Sequence, residues 1–141
     1  MHRDLKLENL LLSDGRVLLA DFGCSAQARG LRETYCGTPD YVAPEVLLGV
    51  PQTEKVDVWG LGVLLFELLT GRAPFSPADE GLNRYEHMLK LKENIMSGNV
   101  AQVHLLNKGA RDLFLRLTDA EPERRPSARQ VLNHAWILFM T

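Results

Sequence analysis

Three short motifs follow one another along this chain, and together they restrict its fold more than any other feature. They are His2-Arg3-Asp4-Leu5-Lys6-Leu7-Glu8-Asn9, Asp21-Phe22-Gly23 and Ala43-Pro44-Glu45. Between the first two lie two apolar runs, 9–12 and 16–20, separated by the turn sequence Ser13-Asp14-Gly15. Such a turn between short apolar runs predicts a β-hairpin. The hairpin would hold Asn9 and Asp21 at its two ends.

The order and spacing of the motifs resemble the catalytic segment of a protein kinase. The likeness covers essentially all 141 residues and is to the C-terminal lobe of a eukaryotic-type Ser/Thr protein kinase. Lys6, two residues after Asp4, and Thr38 within Gly37-Thr38-Pro39-Asp40-Tyr41 are typical of Ser/Thr kinases rather than Tyr kinases. Aurora-type and neighbouring basophilic kinases are similar at Asp21-Phe22-Gly23-Cys24-Ser25, Thr34-Tyr35-Cys36-Gly37-Thr38 and Ala110-Arg111-Asp112-Leu113.

The resemblance implies a mainly α fold, in which a helical bundle surrounds a buried central helix and a small β-hairpin carries the catalytic and metal-binding segments. The residue pattern predicts the central helix independently: Thr53 can cap it, and Gly71 can end it. This helix is apolar on nearly every side, which indicates burial on nearly every side. The predicted elements are a helix from about Pro44 and helices near 54–70, 83–96, 110–118 and 127–133, with a long loop over 24–42.

The resemblance implies catalytic roles for Asp4, Lys6 and Thr38. Phosphoryl transfer depends on positioning and on positive charge near the phosphate more than on covalent chemistry. Asp4 is expected to accept the proton of the substrate hydroxyl, and Lys6 to reach the transferring phosphate. Thr38 in such kinases bonds both the catalytic Asp and the Lys.

The cofactors implied are ATP and Mg²⁺. Asn9 and Asp21 carry the hard oxygen atoms that magnesium prefers, and we expect both to ligate the metal. Leu11 resembles the residue that forms the floor of the adenine pocket. Asn9, Asp21 and Leu11 are therefore the predicted cofactor-binding residues.

A regulatory site is also implied by the resemblance. In kinases with an Arg at the position of Arg3, this side chain commonly receives a phosphate on the activation loop, and Thr34 is available to carry one. The alternative is that Arg3 forms a plain ion pair with Asp4.

Five further residues are expected to have structural roles. His2 resembles a core residue around Phe22, and we favour this role over acid-base chemistry. Asp57 resembles the buried carboxylate that ties the central helix to the backbone of the catalytic loop. Glu45 resembles the carboxylate that pairs with an Arg of the C-lobe, here Arg125.

Glu8 and Glu67 form a predicted substrate-binding pair. In basophilic kinases these positions jointly hold an Arg two residues before the phosphoacceptor, and a guanidinium can satisfy two carboxylates. The implied partner is a protein substrate with such an Arg. The alternative is that Glu8 is solvated and Glu67 pairs with Arg72.

Composition restricts the other classes of function. Of the residues, 45% are apolar and 24% charged, as in an ordinary soluble globular protein, and the net charge of -2 favours neither nucleic acid nor an anionic membrane. The apolar stretch 56–69 falls short of the ~20 residues of a membrane span. Cys24 and Cys36 are expected to be free thiols in a reducing compartment, so we expect an intracellular protein, cytoplasmic or nuclear.

The expected organisation is a kinase C-lobe portion over 1–141. It comprises a catalytic loop (2–9), a metal-binding motif (21–23), an activation segment (21–45) and a helical subdomain (53–138). We expect the N-terminal lobe to be absent, because no Gly-rich loop, strand Lys or hinge precedes His2. Two hypotheses follow: a Ser/Thr kinase that needs an N-lobe, with a possible regulatory protein partner, or a non-catalytic module that docks substrates or another kinase.

Overall fold

The computed structural model describes residues 1–26, 37–79 and 81–139. Within these ranges the chain is mainly helical, with one small sheet, which confirms the predicted fold class. The sheet consists of β1 (Leu10–Ser13) and β2 (Arg16–Leu19). The helices are α1 (Pro44–Leu47), α2 (Lys55–Thr70), α3 (Arg84–Ser97), α4 (Lys108–Leu117), α5 (Ala128–Leu132) and α6 (Ala135–Leu138), with 3₁₀ turns at Leu7–Asn9, Pro39–Tyr41, Val103–Leu105 and Pro122–Arg124.

The predicted hairpin is present. β1 and β2 pair antiparallel, with Leu10 opposite Leu19 and Ser13 opposite Arg16. Asp14 and Gly15 form the two-residue turn, and both have positive φ (50° and 73°), as this tight connection requires. The backbone N–H of Ala20 donates to the carbonyl of Asn9 at 2.8 Å, which continues the pairing up to the two predicted metal ligands.

Helix α2 forms the centre of the fold. Thr53 Oγ1 accepts a hydrogen bond from the N–H of Lys55 at its start, and Gly71 ends it in the left-handed region with φ of 77°. The expectation of burial on nearly every side holds as far as Phe66. It is wrong for the last turn, where Leu68 is 62% exposed and Leu69 is 46% exposed.

The main core surrounds α2. Trp59 stacks on Phe75 with 5.2 Å between ring centroids, and Phe66 contacts Phe114 of α4 at 5.0 Å. A second cluster lies between α2, α4 and α5. The two clusters fix α2 from both sides, so residues on α2 can serve as a rigid reference for the loops before it.

The remaining elements differ from prediction mainly at their ends. Helix α4 begins two residues earlier than expected, because the side chain of Asn107 accepts a hydrogen bond from the N–H of Ala110. The sequence pattern did not predict α6, which begins after His134, whose Nδ1 accepts from the N–H of Trp136. Of the predicted long loop, residues 27–36 lie outside the described ranges.

The cysteine expectation needs a correction. Cys24 is disulfide-bonded, so the prediction of a free thiol there is wrong. Cys36 lies outside the described residues. The cysteine count therefore gives no support to a reducing compartment.

The described part of the chain contains no helix that is both long enough and apolar enough to cross a membrane.

Candidate active site

Asp57 of α2 joins the helix to the segment before β1. Its Oδ2 accepts from the N–H of His2 and its Oδ1 from the N–H of Arg3, both at 2.7 Å. Arg3 has a φ of 69°, a left-handed conformation that is uncommon for a residue other than glycine. Successive N–H groups in such a turn converge on one anion, and here the anion is the Asp57 carboxylate. Residues 2–4 are thereby held on the central helix.

The imidazole of His2 lies in the interior between these segments. Its Nε2 is 3.1 Å from the carbonyl of Ala20, and its Nδ1 accepts from the N–H of Asp4 at 3.3 Å. Since Nδ1 accepts while Nε2 faces a carbonyl, the neutral ring carries its proton on Nε2. The ring also contacts Phe22 edge-on, with centroids 5.0 Å apart. His2 thus connects the segment before β1 to the segment after β2.

The carboxylate of Asp4 is the centre of the site. Thr38 donates to its Oδ1 from the backbone N–H and from Oγ1, both at 3.1 Å. Lys6 Nζ lies 3.1 Å from Oδ2 and also donates to Thr38 Oγ1 at 2.7 Å. A Lys, a Thr and an Asp from two distant segments therefore form one closed network.

Asn9 completes this network. Its Nδ2 donates to the backbone carbonyl of Asp4 at 2.8 Å and to Oδ2 of the same residue at 3.1 Å. Burial raises the pKa of Asp4, but hydrogen bonds from Lys6, Thr38 and Asn9, with the Lys6 charge, outweigh burial and hold it below its ordinary value. Asp4 is therefore ionised at neutral pH.

Gly37 allows the two segments to approach each other. Its φ is 111°, and a Cβ at this position would lie 2.8 Å from the carbonyl oxygen of Arg3. A side chain would therefore push Thr38 away from Asp4.

The residues at the ends of the hairpin suit a hard cation. Asn9 uses Nδ2 to hold Asp4, and no hydrogen bond within the described ranges occupies its amide oxygen. Asp21 is exposed, has a φ of 58° and accepts from the N–H of Gly23 through Oδ1 at 3.1 Å. No group of three or more His, Cys, Asp or Glu side chains suitable for a metal occurs in the described ranges. One amide and one carboxylate fit Mg²⁺, which takes few protein ligands beside phosphates and water.

Leu11, the predicted adenine contact, is 51% exposed on β1. It therefore offers an exposed apolar surface on β1, two positions after Asn9.

Arg3 has an unused donor. Its Nε donates to the carbonyl of Cys24 at 2.6 Å, whereas Nη1 is buried and has no hydrogen-bond partner within the described part of the chain. No ion pair forms between Arg3 and Asp4 there, so the plain-pair alternative has no support from the contacts. Thr34, the predicted phosphosite, lies outside the described residues.

Glu45 and Arg125 form a buried bidentate ion pair. Nη1 and Nη2 of Arg125 donate to the two carboxylate oxygens at 2.6 and 2.8 Å. Arg125 is 1% exposed and Glu45 is 4% exposed. Nε of Arg125 donates to the carbonyl of Asp119 at 2.8 Å, and the guanidinium lies 5.0 Å from the Trp59 ring centre. The segment around α1 is thereby joined to the C-terminal part of the chain.

The two predicted substrate residues lie on one surface cavity. Glu8 and Glu67 both line it, and its volume is about 330 Å³. The hydroxyl of Tyr41 donates to Oε2 of Glu67. Burial and this carboxylate raise the pKa of Tyr41. Arg72 donates to the carbonyl of Pro77 at 3.4 Å and forms no ion pair with Glu67, so the alternative of an internal Glu67–Arg72 pair is wrong.

Sequence reasoning missed Tyr41 and Ser76, which hold acidic groups at this cavity. Ser76 Oγ donates to Asp40, as Tyr41 does to Glu67. Tyr41 belongs to the motif Gly37-Thr38-Pro39-Asp40-Tyr41, but nothing in the local pattern indicated its contact with Glu67, 26 positions away.

Comparisons with known proteins show the family of this chain. The family model described as "Protein kinase domain" matches residues 1–137. An Aurora kinase of Schizosaccharomyces pombe is 43% identical over 140 residues, which are 98% of this chain and 38% of that protein. An Aurora kinase of Dictyostelium discoideum is 40% identical over 97% of this chain and 34% of its own length. Serine/threonine-protein kinase H1 of Homo sapiens is 40% identical over 99% of this chain and 34% of its own length. The chain spans little more than a third of these relatives.

Proposed function

The chain belongs to the protein kinase domain family, and we propose that it is the C-lobe portion of a Ser/Thr kinase that transfers the γ-phosphate of ATP to a protein hydroxyl. In this proposal residues 2–9 are the catalytic loop, 21–23 the metal-binding motif, 21–45 the activation segment and 53–138 the helical subdomain. The observation that carries the proposal is the Asp4 carboxylate, which Lys6, Thr38 and Asn9 hold ionised.

Each residue of the network has a defined task in this chemistry. The carboxylate of Asp4 orients the substrate hydroxyl and takes its proton. Lys6 balances the charge of Asp4 and supplies positive charge toward the phosphate. Asn9 and Asp21 would hold Mg²⁺, and Leu11 would contact the adenine of ATP. The metal, when bound, shields the negative charge of the phosphates.

The alternative is a non-catalytic C-lobe that docks substrates or another kinase. A docking module has no need of a carboxylate held by Lys6, Thr38 and Asn9, and this favours the enzyme. For the 141-residue chain by itself we propose weak nucleotide binding, because Asn9, Asp21 and Leu11 supply only a few of the contacts that hold ATP and its phosphates in a kinase. A large rise in Tm with millimolar magnesium-ATP would contradict this, since a saturating ligand stabilises the state it binds.

The test of the enzyme is a chimera in which the N-terminal part of the S. pombe Aurora relative precedes Met1. We expect it to phosphorylate peptides, and we expect Asp4→Asn or Asp21→Asn to remove most of this activity while circular dichroism and Tm show an intact fold. Asp14→Asn, in the exposed hairpin turn, is the matched control and should keep full activity. Near-normal turnover in a folded Asp4→Asn chimera would overturn the proposal.

We further propose that a phosphate on Thr34 activates the kinase by pairing with Arg3. The buried Nη1 of Arg3 supports this, because a phosphate adds about -1.5 to -2 charge and three acceptor oxygens. In the chimera, Thr34→Ala should lower activity much more than Ser25→Ala. Equal losses in the two variants would show that this phosphate does not control the enzyme.

The proposed substrate has an Arg two residues before the acceptor Ser or Thr, bound by Glu8 and Glu67. Their common cavity and the Tyr41 hydroxyl that orients Glu67 support this assignment. A peptide array with the chimera should show preference for Arg at that position. Glu67→Gln should remove the preference and spare turnover on Arg-free peptides. A preference for Pro after the acceptor, or for acidic flanks without Arg, would contradict it.

Because the reaction uses cellular ATP, the proposal includes an intracellular location, cytoplasmic or nuclear, and a possible regulatory protein partner. Fractionation of cells that express a tagged chain tests the location, and recovery only from the medium would contradict it.

A further inference from the structure

The cavity that contains Glu8 and Glu67 also carries positive charge. Arg72, just after the Gly71 cap of α2, and His87 of α3 line the same space as the two carboxylates. The cavity therefore presents groups of opposite sign to any ligand that enters it.

Arg72 remains available although carboxylates line the same cavity. Its only hydrogen bond within the described ranges runs from Nη2 to the carbonyl of Pro77 at 3.4 Å. No carboxylate of the described residues forms an ion pair with it. Two carboxylates that line the cavity accept hydrogen bonds from residues other than Arg72. Glu67 accepts one from the Tyr41 hydroxyl, and Asp40 accepts one from Ser76. Arg72 is exposed, so its charge faces the solvent that a ligand would replace.

We propose that the cavity binds two neighbouring substrate side chains of opposite charge: a basic one at Glu8 and Glu67, and an Asp or Glu at Arg72 and His87. This inference rests on the proposed function, since it extends the same substrate site. A volume of about 330 Å³ suits more than one side chain.

The proposal predicts that Arg72 has opposite effects on the binding of two kinds of peptide. Arg72 repels a substrate Arg that enters the cavity alone, because like charges close together raise each other's energy. A neighbouring carboxylate on the substrate pairs with Arg72 and removes that repulsion. Arg72 therefore disfavours peptides with Arg only and favours peptides with Arg beside an acid.

The experiment measures binding of two fluorescent peptides to the 141-residue chain by anisotropy at low salt. Both peptides carry an acceptor Ser and an upstream Arg, and they differ only in a Glu or a Gln beside the Arg. We expect Arg72→Gln to weaken the Glu peptide about two- to fivefold, as for an exposed ion pair, and to strengthen the Gln peptide. Arg129→Gln, an exposed Arg on α5, is the matched control and should change neither.

A variant with reversed charge at Arg72 distinguishes an electrostatic effect from misfolding, because a misfolded chain would not gain affinity for any peptide. Arg72→Glu should bind a peptide with Lys in place of the Glu better than the wild-type chain does. If Arg72→Gln weakens both peptides equally, Arg72 has a structural role only and the inference fails.

The Glu67→Gln variant tests the proposed substrate site independently of Arg72. If Glu67→Gln weakens both peptides while Arg72→Gln has no effect, the role of Glu67 in binding the substrate Arg is supported. The proposed binding of a substrate Asp or Glu at Arg72 is then wrong. If neither peptide binds the wild-type chain, the cavity is not a peptide site and both proposals fall.

Discussion

Among single residues, Asp4 shows how opposing effects set the charge of a partly buried carboxylate. Its burial by itself favours the neutral acid, whereas donors from Lys6, Thr38 and Asn9 favour the carboxylate. The donors prevail, so the folded pKa lies below the ordinary 3.8. A lowered pKa means that the ionised group stabilises the fold fully above about pH 3.8, and that this contribution is lost as pH falls through the folded pKa.

Lys6→Met should raise the pKa of Asp4. The variant removes the Lys6 hydrogen bond and charge while burial continues to favour the neutral acid. An NMR titration of the Asp4 side-chain carboxyl carbon measures the midpoint, and urea unfolding should show that the acid loss of stability begins at a higher pH. Lys92→Met, on the exposed face of α3, is the control. An unchanged Asp4 midpoint in Lys6→Met would show that Lys6 does not hold the carboxylate ionised.

At the scale of elements, two glycines let α2 approach its neighbours closely. A Cβ on Gly62 would lie 2.7 Å from Cγ2 of Thr118 and 2.9 Å from Cβ of Leu117, at the end of α4. A Cβ on Gly60 would lie 3.3 Å from Cβ of Leu5, in the loop before β1. A glycine inside a helix loosens it slightly. The structure adds that Gly60 also faces the loop that α2 supports.

Gly62→Ala should destabilise the chain by about 1–3 kcal/mol, the range for overfilling a well-packed interior. Gly60→Ala is the matched comparison and should cost less, because a shift of a few tenths of an ångström relieves its closest contact and alanine favours the helix by up to ~1 kcal/mol. Urea unfolding of both variants measures the difference. A Gly62→Ala chain as stable as the wild type would show that α2 and α4 separate at little cost.

For the whole molecule, the pair of Glu45 and Arg125 joins segments 80 positions apart. Taking two charges out of water is costly, and their mutual attraction and further hydrogen bonds must compensate for that cost. Arg125 has these bonds, since it also donates to the carbonyls of Asp119 and Lys55. The pair therefore holds the segment around α1 against the C-terminal part of the chain.

Glu45→Gln or Arg125→Met should each destabilise the chain by about 3–5 kcal/mol, because each leaves a buried charge without its partner. The exposed pair of Arg116 and Asp112 provides the control, and Arg116→Met should cost at most ~1 kcal/mol. Thermal and urea unfolding compare the variants. Equal small losses at the buried and exposed pairs would show that the buried pair does not connect the two segments.

Local rules predicted a large part of the fold. The hairpin turn at Asp14 and Gly15 and the helix end at Gly71 are both present. Element ends were less accurate where a cap was overlooked, as at Asn107. The order of the motifs likewise singled out Asp4 and Lys6 as candidate site residues. Only the structure shows that their side chains lie 3.1 Å apart.

The sequence by itself predicted the hairpin and its turn, the longer helices and the family, because these depend on residues only a few positions apart or on motifs with fixed spacing. Only the tertiary structure decided that Tyr41 holds Glu67, that Arg72 shares a cavity with Glu8, and that the last turn of α2 is exposed. The physical reason is that such contacts depend on where folding brings distant side chains together. Local propensity does not contain that information.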